Sequence, residues 1–332
     1  MNGSEKAVTS KNIRAPDIHP GWRLPVPFVD RLHALLGAEL VEQIRPYFSC
    51  EPRPCFRVNT LQTTTEAAVQ RLGDDGLHLT ACPFLDYAYR IPQEQRDALV
   101  YHPLAETGEI YIQNFSSMLA PHLLGARPGE EVLDLAAAPG GKTLMLAAQM
   151  ENRGRLAAVE VVKSRYYRLK SNLERAGVSI AHTYLKDGAI VGRQVPARFD
   201  RVLLDAPCSS EARMRVDDPE SYAYWSERKI GEMQRKQKKL LYSAVQALRP
   251  GGSLVYSTCS FAPEENELVV NHVLKKFSGE LEILPMDIQE VPVVAGLQAW
   301  GKKTLHPDLR HAARILPDGT MDGFFLCLLR KS

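Results

Sequence analysis

What this chain of 332 residues lacks narrows its chemistry before any motif is read. Its six cysteines, at 50, 55, 82, 208, 259 and 327, contain no C-x-x-C pair, and the nine histidines show no ligand spacing beside them. That excludes a zinc finger and a disulfide framework, and predicts free thiols with no structural metal. No apolar run approaches the length of about 18 residues that a membrane helix needs. The start, MNGSEKAVTSKNIRAPDIHPG, is polar and has none of the apolar core of a signal peptide. A soluble, cytoplasmic protein with no membrane partner is expected. Excess charge is also missing: the net charge is only +2, so any affinity for a polyanion must come from local clusters. Internal repeats and low-complexity tracts are absent.

What remains is an ordinary globular composition, 45% hydrophobic and 24% charged, long enough for one large core and a smaller domain. The chain is organised around EVLDLAAAPGGKT at 131–143. The apolar run 132–135 reads as a buried parallel strand, and a helix follows from about Lys142. Ala136, Ala137, Ala138, Pro139, Gly140 and Gly141 carry almost no side-chain bulk, so backbone N–H groups and the positive end of the helix face a ligand. Two chemistries fit this loop. One is a degenerate P-loop, with Ala136 where the pattern has glycine and Asp205 closing an acidic strand for Mg²⁺. The other is the first motif of a methyltransferase that binds S-adenosylmethionine.

The rest of the chain arbitrates. Residues 1–20 hold no apolar periodicity and read as a flexible tail. A helical stripe over 27–48 is broken at Gly37. A strand at 55–61, a capping box at Thr63–Glu66 that opens a helix through Leu72, and extended stretches at 77–82 and 87–91 suggest a small α+β unit within 50–105. A strand at 109–113 and a helix at 116–124 lead into the central loop. Strands are then expected at 132–135, 156–160, 180–185, 201–205, 253–257, 281–284 and 324–329. Helices fall at about 142–150, 163–176, 226–248 and 264–277. This alternation predicts an α/β fold with a doubly wound, seven-stranded, mostly parallel sheet whose last strand is antiparallel.

In such a sheet ligands sit at the carboxyl ends of the strands. Glu160 ends the second strand, where a carboxylate can hold both hydroxyls of a ribose; Asp187 follows the third; Asp205-Ala206-Pro207-Cys208 ends the fourth. The fifth runs into Tyr256-Ser257-Thr258-Cys259-Ser260, with Pro263-Glu264-Glu265-Asn266-Glu267 starting a helix. Two thiols thus arrive at one rim from sequence-distant loops. A P-loop enzyme has no use for them, nor for the acid at 160.

The runs DLAAAPGGKT, DAPCSS and YSTCSFAPEENE, in that order and on those strands, resemble the NOP2/Sun (RsmB/RsmF-type) family of RNA 5-methylcytosine methyltransferases. FRVNTL at 56–61, YIQNFSSML at 111–119, RPGG at 249–252 and DGFF at 322–325 agree. The resemblance implies a class I, Rossmann-like methyltransferase domain at 106–332, preceded by a helical and RRM-like RNA-binding domain at 21–105. C5 of cytosine is a poor nucleophile until a thiolate adds to C6 and turns it into an enamine carbon. By resemblance Cys259 is that thiolate, Cys208 assists elimination and release, and Asp205 hydrogen-bonds the base at N3 and N4. Lys142 would contact the base or help activate the thiol, against the alternative of a solvated first-turn lysine. S-adenosylmethionine would lie on 136–142, with Glu160 on its ribose, Asp187 near the adenine and Asp205 by the methionine end. No metal is needed.

The partner implied is ribosomal or transfer RNA with its target cytosine flipped out; a monomer satisfies this reading. The small domain would stack or clamp single-stranded RNA. Arg213 and Arg215 would meet phosphate. The run Arg228, Lys229, Arg235, Lys236, Lys238 and Lys239 is either an RNA surface or the wet face of a helix. Gln62 stands where relatives carry lysine, and Asp318 where histidine is usual, so contacts near the base are expected to differ. With nothing after Ser332 resembling an appended RNA-binding domain, substrate selection is expected from 1–105, surface loops or a partner protein. The rivals are a Mg²⁺-dependent NTPase and a catalytically retired RNA-binding scaffold.

Overall fold

A computed structural model describes residues 17–288 and 290–332. Most of the expected tail, residues 1–16, lies outside the described residues; residues 17–20 belong to the fold, with Ile18 bridging Pro25 ahead of buried Trp22 and Leu24. Helix α1 (Val26–Ile44) is interrupted at Gly37, whose φ of 77° is a left-handed conformation that glycine adopts without strain. Its apolar stripe does not pack on the small unit. Phe28, Val29, Leu32 and Val41 instead join Phe48, Met214, Trp225 and Phe261 in one cluster, so α1 braces the loops that leave the large sheet.

The small unit runs β1 (Cys55–Val58), α2 (Thr65–Asp74), β2 (Thr80–Cys82), β3 (Leu85–Arg90), the short helices α3 (Arg96–Val100) and α4 (Pro103–Thr107), and β4 (Ile110–Ile112). Its antiparallel order β2-β3-β1-β4 is that of a split β-α-β-β-α-β unit, and β4 carries it past the boundary expected at 105. The cap of α2 is Thr64, which accepts from Ala67 N at 3.2 Å, one residue later than the expected box. Side chains alternate across β1. Phe56 and Val58 pack with Ala68, Leu72 and Leu99, whereas Cys55 and its neighbour Ala88 pack with Phe115, Met118 and Leu119 of the next helix. Both faces of the sheet are therefore covered. The stacking surface for single-stranded RNA expected there is occupied by the large unit, because the face opposite α2, apolar around Cys55 and Ala88 and carrying Arg57, packs against protein.

The large unit continues through α5 (Phe115–Leu124), β5 (Glu131–Asp134), α6 (Gly141–Gln149), β6 (Arg155–Glu160), α7 (Lys163–Arg175), β7 (Ala181–Leu185), α8 (Val191–Gln194), β8 (Phe199–Asp205), α9 (Glu227–Ala247), β9 (Leu248–Thr258), α10 (Glu267–Lys276), β10 (Leu281–Leu284), β11 (Val293–Ala295), a hairpin of β12 (Ala299–Trp300) and β13 (Lys303–Thr304), β14 (Ala313–Ile315) and β15 (Phe324–Lys331). Strands β9-β8-β5-β6-β7 are parallel neighbours. β15 pairs antiparallel with β9, and β10 and β14 share its other edge. All seven expected strands form. Two more, β11 and β14, make the sheet nine-stranded; each is three residues long, too short to give an alternation that sequence can carry. Leu133, Val202 and Leu204 face one helical layer and Val132 and Leu203 the other, which is why these strands read as unbroken apolar runs. The strand order reverses at β5, between β6 and β8, so a crevice opens above its carboxyl end. Among the described residues no helix is long and apolar enough to cross a membrane.

Candidate active site

The loop from β5 to α6 is held from outside. Arg165 Nη2 donates to Ala138 O (2.6 Å), Asn172 Nδ2 to Pro139 O (2.8 Å), and Ala137 N to Val159 O (2.9 Å). Gly140, at φ 112°, is the N-cap of α6 and has no side chain to offer, so the first amides of the helix point into the crevice without a cap. Beneath the loop Thr143 Oγ1 donates to the buried Asp134 carboxyl at 2.7 Å, which burial pushes up to about 6. That bond turns Thr143 inward, whereas a P-loop needs this hydroxyl on Mg²⁺. Among the described residues no group of His, Cys, Asp or Glu side chains could hold a metal ion. Glu160 is buried at the end of β6; its Oε1 accepts from Val162 N (2.8 Å), and Arg165 stands 3.6 Å from Oε2. Asp187 is exposed and caps the turn at Gly188–Ile190 through Ala189 N (2.9 Å).

The two thiols meet because β8 and β9 are in register, with Asp205 opposite Ser257, so the chain leaves both strands side by side. Cys208 Sγ and Cys259 Sγ are 3.2 Å apart. The hydrogen bond from Cys208 lowers the Cys259 thiol below the free-thiol range, and the exposed Arg213 guanidinium adds to this; burial and the charge of Asp205 oppose it. The same bond, with burial, drives Cys208 upward. The pair therefore gives up one proton readily, with the charge on Cys259. Beside it Asp205 Oδ2 receives Lys142 Nζ at 2.6 Å and Oδ1 receives Ser257 Oγ at 2.9 Å. Lys142 also donates to Ser117 Oγ (2.6 Å), and at 12% side-chain exposure it is not a solvated lysine.

Buried carboxylates around the thiols carry no sign of burial in the sequence, where acids read as surface. Glu265 accepts from Ser209 N (2.9 Å), Gln237 Nε2 (2.8 Å), Ser260 Oγ (3.0 Å) and Ser209 Oγ, and burial pushes it up to about 7. Glu211 accepts from Trp225 Nε1 (2.9 Å), Phe261 N (2.9 Å) and Ala262 N (2.8 Å), with Ser260 Oγ 3.1 Å away. Asn266 ties Thr258 Oγ1 (2.6 Å) to Ser260 O (2.8 Å). The stretch 264–266, expected to open a helix, is the clamp that sews the two thiol loops together, and α10 starts only at Glu267. That residue pairs with Arg314, both buried.

Of the expected RNA contacts, Arg215 is already paired with Asp322 at 2.9 Å, leaving Arg213 exposed. Asp318 accepts from Thr320 N and Met321 N in a turn, and Gln62 caps the end of α7 through Arg175 O. On α9, Arg228, Arg235, Lys236 and Lys239 are exposed while Ile230, Met233 and Leu241 are buried.

Residues 121–330 match the family described as 16S rRNA methyltransferase RsmB/F. The chain is 36% identical over 324 residues to ribosomal RNA small subunit methyltransferase F of Vibrio parahaemolyticus, covering 95% of this chain and 64% of that protein. It is 38% identical over 286 residues to the protein of the same name from Escherichia coli O6:H1, covering 84% and 57%. The chain thus spans less than two thirds of the length of these curated relatives. Among solved structures it is similar to a methyltransferase homolog protein from Pyrococcus horikoshii, with a TM-score of 0.78 at 33% identity over 92% of this chain and 95% of that one. A family pattern running from α5 to β15, on a sheet shared with a solved methyltransferase homolog, makes this chain a member of the 16S rRNA methyltransferase RsmB/F family.

Proposed function

We propose that the protein is an S-adenosylmethionine-dependent RNA cytosine-C5 methyltransferase that acts on ribosomal RNA through Cys259. The observation that carries this is the thiol pair, 3.2 Å apart, beside the Lys142–Asp205 pair at the carboxyl ends of adjacent strands. No simpler packing role needs two opposed thiol acidities next to a carboxylate and an ammonium. The Cys259 thiolate adds to C6 of cytosine; a C–S bond forms and the C5–C6 electron pair moves onto C5. Asp205, neutralised in part by Lys142, accepts from the amino group or protonated ring as charge develops. C5 then takes the methyl group with that electron pair; its proton passes to a base, the part Cys208 would take in assisting elimination, the C–H pair re-forms the C5–C6 double bond, and the C6–S pair returns to Cys259.

The residues present fit S-adenosylmethionine. The start of α6 offers amides with no side-chain cap from Gly140, the loop 136–141 has little bulk, and Glu160 brings a buried carboxylate whose Oε2 stands 3.6 Å from Arg165. When bound, the cofactor supplies an activated methyl group. Ala136–Lys142, Glu160, Asp187 and Asp205 are the residues that would hold it. We further divide the chain into an N-terminal unit that ends after β4 and a methyltransferase domain beyond it, with Arg213 meeting RNA phosphate beside the base.

The test is to express Cys208→Ala and Cys259→Ala separately and run each on a denaturing gel. A slower, nuclease-sensitive band from Cys208→Ala alone is expected, and the RNA in it names the substrate. A band from Cys259→Ala alone reverses the two roles. Absence of both, with ATP bound and no S-adenosylmethionine bound by the wild type, ends this reading.

A further inference from the structure

Arg57 is fully buried, and burial lowers its guanidinium to about 10. Among the described residues no carboxylate bonds to it, and its Nη1 has no hydrogen-bond partner. A buried cation without an anion costs stability. What it provides is geometric. Arg57 Nη2 donates to Gly141 O (2.8 Å), at the start of α6, and its Cζ stands 5.4 Å from the centroid of the Tyr111 ring. Arg57 Nε donates to Gln113 Oε1 (3.2 Å), Gln113 Nε2 to Ser117 Oγ (3.3 Å), Lys142 Nζ to the same Ser117 Oγ (2.6 Å), and Lys142 Nζ to Asp205 Oδ2 (2.6 Å).

The direction of this chain is dictated by chemistry. An arginine can only donate, so Gln113 must turn its carbonyl towards Arg57 and its amide N–H towards Ser117. A lysine can only donate as well, so Ser117 Oγ is the point where two donors converge. Lysine carries about 2 kcal/mol of rotamer entropy on a flexible stem. One carboxylate alone leaves its ammonium free to swing, and the second anchor at Ser117 removes that freedom.

We propose that Arg57, Gln113 and Ser117 form a positioning chain that holds the Lys142 ammonium on Asp205 and so ties the small sheet to the place where the target base is bound. The consequence for methyl transfer rests on the functional reading above; the placement of Lys142 does not.

Two measurements on the full chain separate them. Competitive acetylation of lysines with acetic anhydride, read by peptide mass spectrometry, reports the freedom of Nζ without RNA or cofactor. Ser117→Ala is expected to raise Lys142 acetylation about ten-fold, the effect of one hydrogen bond to a charged group. Ser117→Thr, which keeps the hydroxyl, should restore protection. Unchanged labelling in Ser117→Ala overturns the proposal. In RNA methylation Ser117→Ala should lower kcat about ten-fold with S-adenosylmethionine affinity unchanged, and cause no further loss in a Lys142→Met background. An equal loss in that background also overturns it, since Ser117 would then act by another route. If the wild type transfers no methyl group to RNA, the functional reading falls and the labelling result alone decides the chain.

Discussion

Removing the Cys208 sulfur should make Cys259 a weaker nucleophile even before any RNA is present. The hydrogen bond from Cys208, 3.2 Å away, is the largest influence that brings Cys259 from 9.0 down to about 7. A hydrogen bond to a charged group contributes roughly 1.5–3 kcal/mol, which at about 1.4 kcal/mol per unit is one to two pKa units. In Cys208→Ala the Cys259 thiol should therefore titrate at roughly 8–9. Thiolate is present above the pKa, so at about pH 7.5 its fraction falls from roughly three quarters to between a quarter and a few per cent. The assay is the rate of Cys259 alkylation by iodoacetamide against pH, followed on its peptide by mass spectrometry. A three- to twenty-fold drop, roughly, is expected at that pH, with the plateau at high pH unchanged. Cys208→Ser keeps an O–H donor and should recover part of the acidity. Arg213, Asp205 and Ser210, which also face Cys259, are untouched in both variants. Identical profiles for wild type and Cys208→Ala would refute the claim that one thiol activates the other.

Two further outcomes concern the clamp behind the thiols. Arg314→Met leaves Glu267 buried without its bidentate partner, at 4% and 0% side-chain exposure for the two, and should destabilise the fold by about 3–5 kcal/mol; urea unfolding checks this, and Arg314→Met/Glu267→Leu should recover most of the loss. Glu265 is raised from 4.5 to about 7, so its contribution to stability is fully present below about pH 4.5 and is lost as pH rises through about 7. Glu265→Gln, whose amide can face the Ser209 and Ser260 hydroxyls once these reverse, should flatten the fall in melting temperature between about pH 5 and 8; an equal fall in the variant would show that other groups carry it.

Much of this was legible in the chain. The seven main strands and their order of polarity follow from apolar runs and the helices between them, since a strand buried on both faces must be apolar throughout. Gly37 announced its break, and the thiols, Asp205 and Glu160 stood at strand ends where a doubly wound sheet puts its chemistry. Other features were not legible. The three-residue strands β11 and β14 have too few positions to show a period. Arg57 carries a charge, which gives no sign of burial in the sequence, and is fully buried. Glu211, Glu265 and Glu267 read as surface acids and are interior, because donors that make burial tolerable come from segments 14 to 56 residues away.

Sequence by itself determined the main elements, the low-bulk loop after β5 and the residue types at the rim, because these depend on local periodicity, backbone bulk and strand-end position. Only the tertiary structure decided what those residues do to one another. The register of β8 on β9 brings Cys208 to 3.2 Å from Cys259, packing turns Lys142 onto Asp205 and away from solvent, and the apolar face of the small sheet is buried against α5. Each of these is a contact between residues far apart in the chain, set by how whole elements dock, and such contacts leave no period along the sequence.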